Sequence, residues 1–539
     1  MIGNEGRATM GMYLNPGADM LRVARRSRVY VDKSGMFGYL NQVVSTEQRY
    51  VCVSRPRRFG KSMAANMVCA YYDRTVDGAA EFAGMACADD PAFDENRNRY
   101  DVLRINMQEF LSMAGDVDGA LAAMEEAVTF ELSLAYPDMR FRDPSSLVKS
   151  TADLYAQTGM QLVIVIDEWD CLMREKRSDH AAQERYLDFL RLWLKDRPYV
   201  ALCYMTGILP IKKYGTHSAL NMFSEFSMLG ADEMAPYMGF TTDEVEELCR
   251  VWGRDLAECK AWYDGYRLVG VNDILHEAYS PRSVVRSMET GRFASYWNET
   301  ETYDALRRYI DLDMDGLHDR VVELISGGRV RVNTGTYVND MTTLNSADDV
   351  LTLLVHLGYL TYDARTREVF VPNREVLGEF ANSVSQGGSW REVSRSIADS
   401  EALLDVLVAG DADAVAQGVE RAHEDAASII DYNGEASLAA TLRLAFFSAI
   451  RRWRLVREAP AGKGFADLVL VPLASSPAGT PGVVIELKYG ATADDALAQI
   501  RERGYGRALE GLAAAGNVVL CGIAYDPKAK VHTCRIARA

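Results

Sequence analysis

Four stretches of the chain are apolar over most of their length: Tyr50–Val53, Val102–Asn106, Leu162–Ile166 and Val200–Thr206. Runs of this kind read as strands buried on both faces, the pattern of a parallel sheet. Helical spacing separates them, most clearly in Met63–Tyr72. Strand and helix alternating over residues 21–240 predict a parallel α/β sheet. Residues 1–20 lack such a pattern and read as a poorly ordered arm. Residues 241–390 read as mostly helical. There Thr241 and Glu244 form a capping box, and Val245, Leu248, Cys249 and Trp252 recur at helical spacing behind it. Short strands are expected at Tyr359–Tyr362 and Val369–Val371. Over 391–539 the order changes to helix Glu435–Arg452, strands Arg454–Glu458, Ala466–Val471 and Gly482–Lys488, helix Ala493–Gly504 and strand Asn517–Tyr525. That order is α-β-β-β-α-β.

The first strand runs into Ser54-Arg55-Pro56-Arg57-Arg58-Phe59-Gly60-Lys61-Ser62, and a helix follows at once. A loop in that position turns backbone N–H groups toward the positive end of a helix, which favours phosphate. The run matches G-x-x-x-x-G-K-[ST] except that Arg55 stands for the first glycine. In this reading Arg55 through Gly60 cradle ATP, Lys61 reaches the β- and γ-phosphates, and the Ser62 hydroxyl holds Mg²⁺. The third strand ends in Asp167-Glu168-Trp169-Asp170. Strand tips face the ligand edge of an open α/β sheet. Asp167 is therefore expected to hold Mg²⁺ with Ser62, and Glu168 to orient or deprotonate the attacking water. Thr206, at the fourth strand's tip, would sense the γ-phosphate or position water; a plain polar strand end is the other reading.

A second constellation lies near the C-terminus. Asp467 sits near the start of one expected strand, and Glu486 and Lys488 sit two apart on the next, on one face. Two carboxylates on adjacent strands can hold Mg²⁺ or Mn²⁺, which activates water and offsets charge on a scissile phosphate. Lys488 would position the nucleophile or neutralise that charge. Gln499 would fix Lys488 or the water, and Glu435 and Glu458 could add ligands. A short D…E-x-K pattern also fits an ordinary strand with a solvated charged face.

Acidic residues outnumber basic ones by 76 to 59, a net charge of −17, so no global basic field draws nucleic acid. Such contact must be local, and Arg443, Arg451, Arg452, Arg454 and Arg457 are the densest basic cluster. The nine cysteines form no C-x-x-C pair, so a zinc ribbon is not expected and a reducing compartment is. No secretory apolar region opens the sequence, and no run of about 18 apolar residues occurs. A cytoplasmic protein without a membrane span is expected.

On these motifs the chain resembles the bacterial and archaeal AAA-ATPase-like family that carries a PD-(D/E)XK nuclease-superfamily domain at its C-terminus. The resemblance runs from about residue 20 onward. It rests on Tyr30-Val-Asp-Lys-Ser34, on Arg55–Ser62 (where the arginine is the family's own habit), on Asp167–Asp170, and on Trp262–Tyr266 and Phe370–Asn373. In the C-terminal part it rests on Asp467, Glu486, Lys488, Gln499 and Tyr505. Two departures stand out. The family's paired asparagines after the fourth strand are reduced to Asn221, and its Gly-Arg-x-Asp run is Gly464-Phe-Ala-Asp467, without the arginine. The resemblance implies an α/β architecture: an N-terminal P-loop (AAA+-like) parallel-sheet ATPase over 21–240, a helical lid and connector over 241–390, and a restriction-endonuclease-like αβββαβ domain over 391–539. It implies ATP and Mg²⁺ as ligands. The expected function is an ATP-hydrolysing switch coupled to a metal-dependent nuclease acting on DNA, with RNA left open, in defence or mobile-element biology by analogy. The competing reading is a regulatory or signalling ATPase whose C-terminal domain binds nucleic acid or protein without cutting. Arg174 and Arg250 are candidate arginine fingers, and oligomeric state stays open, a homo-oligomer included.

Overall fold

The computed structural model describes residues 11–211, 220–297, 303–312, 314, 316–337, 344–385, 390–426, 441–461, 464–473, 476–503, 509, 511 and 516–539. The chain divides into two compact units. One comprises Met1–Arg254, Asp264–Arg292 and Val332–Arg367; the other comprises Asp255–Tyr263, Phe293–Arg331 and Glu368–Ala539. Residues 241–390 are thus shared between both.

In the first unit, strands β1 (Tyr50–Ser54), β2 (Asp101–Asn106), β3 (Leu162–Asp167), β4 (Val200–Gly207) and β5 (Ser224–Phe226) form one sheet. All pair in parallel, in the order β2-β3-β4-β1-β5. Every residue of β1, β3 and β4 is buried, which is why their sequences are unbroken apolar runs. Helix α1 (Lys61–Tyr72) follows β1 and packs Ala65, Val68 and Tyr72 into the core around Val51, Val53 and Val165. The sheet extends past the four expected strands to β5, whose three residues include a single apolar one, Phe226.

The segment expected as a loose arm is, from residue 11 on, laid against β2. Asn15 is 1% exposed; its amide donates to Asp101 Oδ1 at 2.7 Å and its Oδ1 accepts from the Val102 N–H at 2.8 Å. A buried amide must be satisfied in this way, and the pairing fixes the strap before helix Asp19–Arg25. The capping box forms as the sequence predicts: Thr241 Oγ1 accepts from the Glu244 N–H at 3.4 Å and Glu244 Oε2 from the Thr241 N–H at 2.8 Å. It opens helix α2 (Thr242–Trp252). Lys33, from the Tyr30–Ser34 element, donates to the same carboxylate at 2.7 and 2.6 Å.

The second unit is built on a mixed sheet of β6 (Trp453–Ala461), β7 (Gly464–Pro472), β8 (Gly482–Tyr489), β9 (Val518–Asp526) and β10 (Val531–Arg538), in that order. Only β8 and β9 run parallel; the other neighbours are antiparallel. Alternate residues face opposite layers. Leu470, Ile485, Val519 and Ile523 pack with Leu404 and Leu407 of α3 (Arg391–Ala409) and Val415 and Val419 of α4 (Ala412–Ala426). Val469, Val484 and Leu520 pack with Leu497 and Ile500 of α5 (Ala493–Arg503), the crossover from β8 to β9. A Cβ on Gly522 would stand 2.4 Å from Ala493 O and 2.8 Å from Leu497 N, so only glycine admits α5 this close to β9. Two expectations need correction. The expected long helix Glu435–Arg452 is, within the described residues, a helical turn followed by a 3₁₀ turn at Phe447–Arg451, and residues 435–440, Glu435 included, lie outside them. The α-β-β-β-α-β order also acquires a fifth strand, β10, at the edge.

Candidate functional site

The parallel sheet gathers the carboxyl ends of β1, β4 and β3 on one edge, with β4 between the other two. The loop leaving β1 reaches α1 through Arg58 at φ 68° and Gly60 at φ 90°. No atom lies within 4 Å of a Cβ built on Gly60, so the left-handed backbone alone requires glycine there. Gly60 is the N-cap residue and offers no side-chain acceptor to the first amides of α1. Lys61, the first helical residue, is 4% exposed, and its ammonium donates to the carbonyls of Arg55 and Pro56 at 2.9 Å each. Burial pushes its pKa down, while Glu168, Asp170 and Asp167 push it back up.

The loop residues divide by role. Ser62 and Arg57 are exposed, and Arg58 is half-buried. Pro56 is buried. Phe59 is buried edge-on against Tyr266, ring centroids 5.1 Å apart, and its carbonyl accepts from the Gly239 N–H at 3.1 Å, so it anchors the loop. Arg55, expected in the phosphate cradle, turns its side chain into the protein. Its guanidinium is wholly buried, donates to Ser54 O at 2.9 Å and Phe226 O at 2.8 Å, and has its pKa lowered to about 10 by that burial.

At the tips of β3 and β4, the Thr206 hydroxyl donates to Asp167 Oδ1, and both side chains are wholly buried. Asp167 Oδ2 is buried with no hydrogen-bond donor. A bare buried carboxylate oxygen suits an oxygen-preferring cation such as Mg²⁺ or its bound water. Glu168 has a left-handed backbone, φ 55°, and its carboxylate accepts from Arg174. Burial raises the Glu168 pKa, against the pull of Lys61 and Arg174. Asp170 Oδ2 accepts from the Ile208 N–H at 3.0 Å, the Leu209 N–H at 2.8 Å and Arg174 Nε at 3.1 Å. Arg174 therefore clamps two acids of its own chain, a role its spacing in the sequence does not reveal. Arg250 is exposed on α2 and pairs with Glu247 at 2.5 Å. Gly207 permits the close approach of these strand tips, since a Cβ there would lie 2.6 Å from Trp169 Nε1 and 2.8 Å from Asp170 Oδ1. Asn221 stands apart from this edge: it accepts from Lys195 at 3.3 Å, before the start of β4, at the amino ends of the strands.

In the second unit, Glu486 on β8 is 3% exposed, and its Oε1 accepts from Lys488 Nζ at 3.2 Å and from the Gln499 amide of α5. β7 and β8 pair Leu468 with Ile485, the residues next to Asp467 and Glu486 in the sequence. The side chains of Asp467 and Glu458, and all of Tyr505, lie outside the described residues. Of the expected set, the structure brings Glu486, Lys488 and Gln499 together. The basic cluster is partly spent: Arg452 pairs with Asp405 at 2.6 Å, and burial lowers the Arg443 pKa. The side chains of Arg451 and Arg457 are not described.

A family model described as a predicted AAA-ATPase matches residues 18–216, the stretch holding the phosphate loop and Asp167–Asp170. With the parallel sheet, this match supports a P-loop ATPase architecture in that part of the chain. Among solved structures, the chain is similar to an Aeropyrum pernix ORC1 protein in complex with DNA, at 12% identity and TM-score 0.26, covering 69% of this chain and 98% of that one. It is similar to the ORC2 protein of the same organism, in ADPNP–ADP complexes, at 9% identity and TM-score 0.26, covering 66% and 96%. At those scores the chains do not superpose as wholes. No curated protein matches the sequence. Among the described residues, no helix is long and apolar enough to cross a membrane.

Proposed function

We propose that the chain is an ATP-driven switch controlling a metal-dependent nuclease that acts on nucleic acid, DNA being the expected substrate. One observation carries the reading: an uncapped helix start entered through Gly60, with Lys61 at its first position, in the same sheet as the bare oxygen of Asp167. Lys61 would exchange its two carbonyl partners for phosphate oxygens, and the free amides of α1 would complete the anion site. Ser62 and Asp167 would hold Mg²⁺, which supplies charge neutralisation on the phosphates when bound. Glu168, held in place by Arg174, would act as the general base on water, with burial raising its pKa. Thr206 would hold Asp167 rather than touch the nucleotide. Residues 21–240 would form the ATPase core, 241–390 the lid and connector, and 391–539 the nuclease-like domain.

In that C-terminal domain Asp467 and Glu486 would share a divalent cation, Lys488 would face the scissile phosphate, and Gln499 would keep Glu486 in place. One feature favours a second reading, in which this domain binds without cutting. Glu486 Oε1 already accepts from both Lys488 and Gln499, which satisfies a buried carboxylate without any metal ion. A nuclease assay on plasmid, linear and single-stranded substrates, with Mg²⁺ or Mn²⁺ and with or without ATP, separates the two. Metal-dependent cleavage lost in Glu486→Gln and Asp467→Asn supports the first. Cleavage that survives both changes, or none under any condition, removes it. ATP binding lost in Lys61→Ala and retained in Glu168→Gln is expected of the switch itself.

A further inference from the structure

A cluster in the second unit plays no part in either proposed site. Glu420 and His423 lie three apart on α4, which places them on one face of the helix. His532 lies on β10, the edge strand on which α4 packs. One ligand atom from each of the three falls within 4.8 Å of the other two. His423 is 8% exposed and His532 is 4% exposed, so both imidazoles face the interior rather than bulk water. Their rings stand nearly perpendicular, at 88°, with centroids 5.0 Å apart. Tyr525, paired opposite His532 on β9, walls the group in, its ring 5.0 Å from that of His423 and 4.7 Å from that of His532.

We propose that Glu420, His423 and His532 form a binding site for a zinc-class divalent metal ion, joining helix α4 to the edge strand β10. Two imidazoles and one carboxylate are a donor set that borderline metals accept and that Mg²⁺ and Ca²⁺ do not favour. The ring spacing fits. With zinc about 2.0–2.1 Å from each nitrogen, tetrahedral ligation sets two ring centroids about 5 Å apart. Glu420 contributes more than a ligand atom. Its Oε2 accepts from the His532 backbone N–H at 2.9 Å and lies 2.6 Å from His532 Nδ1, which fixes the ring's position on the strand. A metal bound at this nitrogen would take the place of that contact. Three protein ligands leave a coordination position for water.

The site is independent of the nuclease reading, and its test keeps them apart. The full chain carrying Asp467→Asn and Glu486→Gln, which remove the metal candidate of the nuclease reading, and Asp167→Asn, which removes that of the phosphate-loop edge, is loaded with Zn²⁺, freed of excess and analysed for metal. About one ion per chain is expected, and Co²⁺ in its place should give the intense visible bands of a tetrahedral N/O site. Adding His423→Ala should weaken Zn²⁺ at least about 100-fold. If that variant does not fold, thermal unfolding of the parent chain with and without a strong chelator decides, a lower midpoint with chelator being expected. Zinc content near zero after loading, binding unchanged by His423→Ala, or a chelator-insensitive midpoint in the parent would each overturn the assignment.

Discussion

Asp170 supports more of the strand tips of β3 and β4 than its place in the sequence suggests. Its side chain is wholly buried, and one oxygen serves the Ile208 N–H, the Leu209 N–H and Arg174 Nε. In Asp170→Ala two backbone donors lose their acceptor and a buried guanidinium loses half its charge compensation. Stranding one partner of a buried pair costs about 3–5 kcal/mol, against a total of about 5–15 kcal/mol for a domain. Asp170→Asn keeps an acceptor oxygen for the two N–H groups and gives up only the charge, so it should cost less, about 1–3 kcal/mol. Most of that smaller loss should vanish in an Arg174→Met background, because the cation that needed the charge is gone. Urea denaturation of the four proteins of this cycle measures the coupling. If Asp170→Asn costs the same with and without Arg174, or if Asp170→Ala unfolds at the parent's midpoint, the clamp is not what holds the strand tips together.

Two further expectations concern acid and close packing. His356 is fully buried, and burial together with the nearby Arg55 charge lowers its pKa from 6.5 to about 3. The unfolded chain therefore takes up a proton that the folded chain refuses across this window, so the stability is complete above about pH 6.5 and is lost as pH falls toward 3. The loss is at most about 5 kcal/mol; His356→Leu should flatten the acid limb of stability against pH, and identical slopes would contradict the account. Gly522→Ala should force α5 off β9 at a cost of about 1–3 kcal/mol and loosen Gln499 from Glu486; an unchanged melting temperature would show that the helix shifts without penalty.

What the sequence discloses follows from which forces are local. β1, β3 and β4 are legible because burial on both faces demands continuous apolar residues. The Thr241–Glu244 box is legible because both partners lie within one helical turn. β5 is not, because three residues with one apolar side chain carry no period, and its pairing with β1 is settled by contacts far along the chain. The alternation along β10 is blurred by exposed Val531 and buried His532, so the edge strand reads as a tail. At the candidate site, Lys61 and Asp167 stand out by spacing alone, whereas the clamp of Arg174 on Glu168 and Asp170 depends on a turn geometry, with Glu168 left-handed, that no spacing announces. The inward turn of Arg55 is equally silent, since arginine in a loop ordinarily faces water. The Glu420–His423–His532 cluster escapes for the plainest reason: two of its members are near neighbours on a helix and the third is on another element 112 positions from Glu420.

The ammonium of Lys61 is satisfied by its own loop. A loop braced in this way needs no guest to keep its shape, so arrival of a nucleotide would be an exchange rather than a rescue. The incoming group must outbid two neutral oxygens already at bonding distance, which only a strongly anionic one does. In the proposed reading, selectivity for polyphosphate over weakly charged visitors would thus be set before any base or sugar is touched.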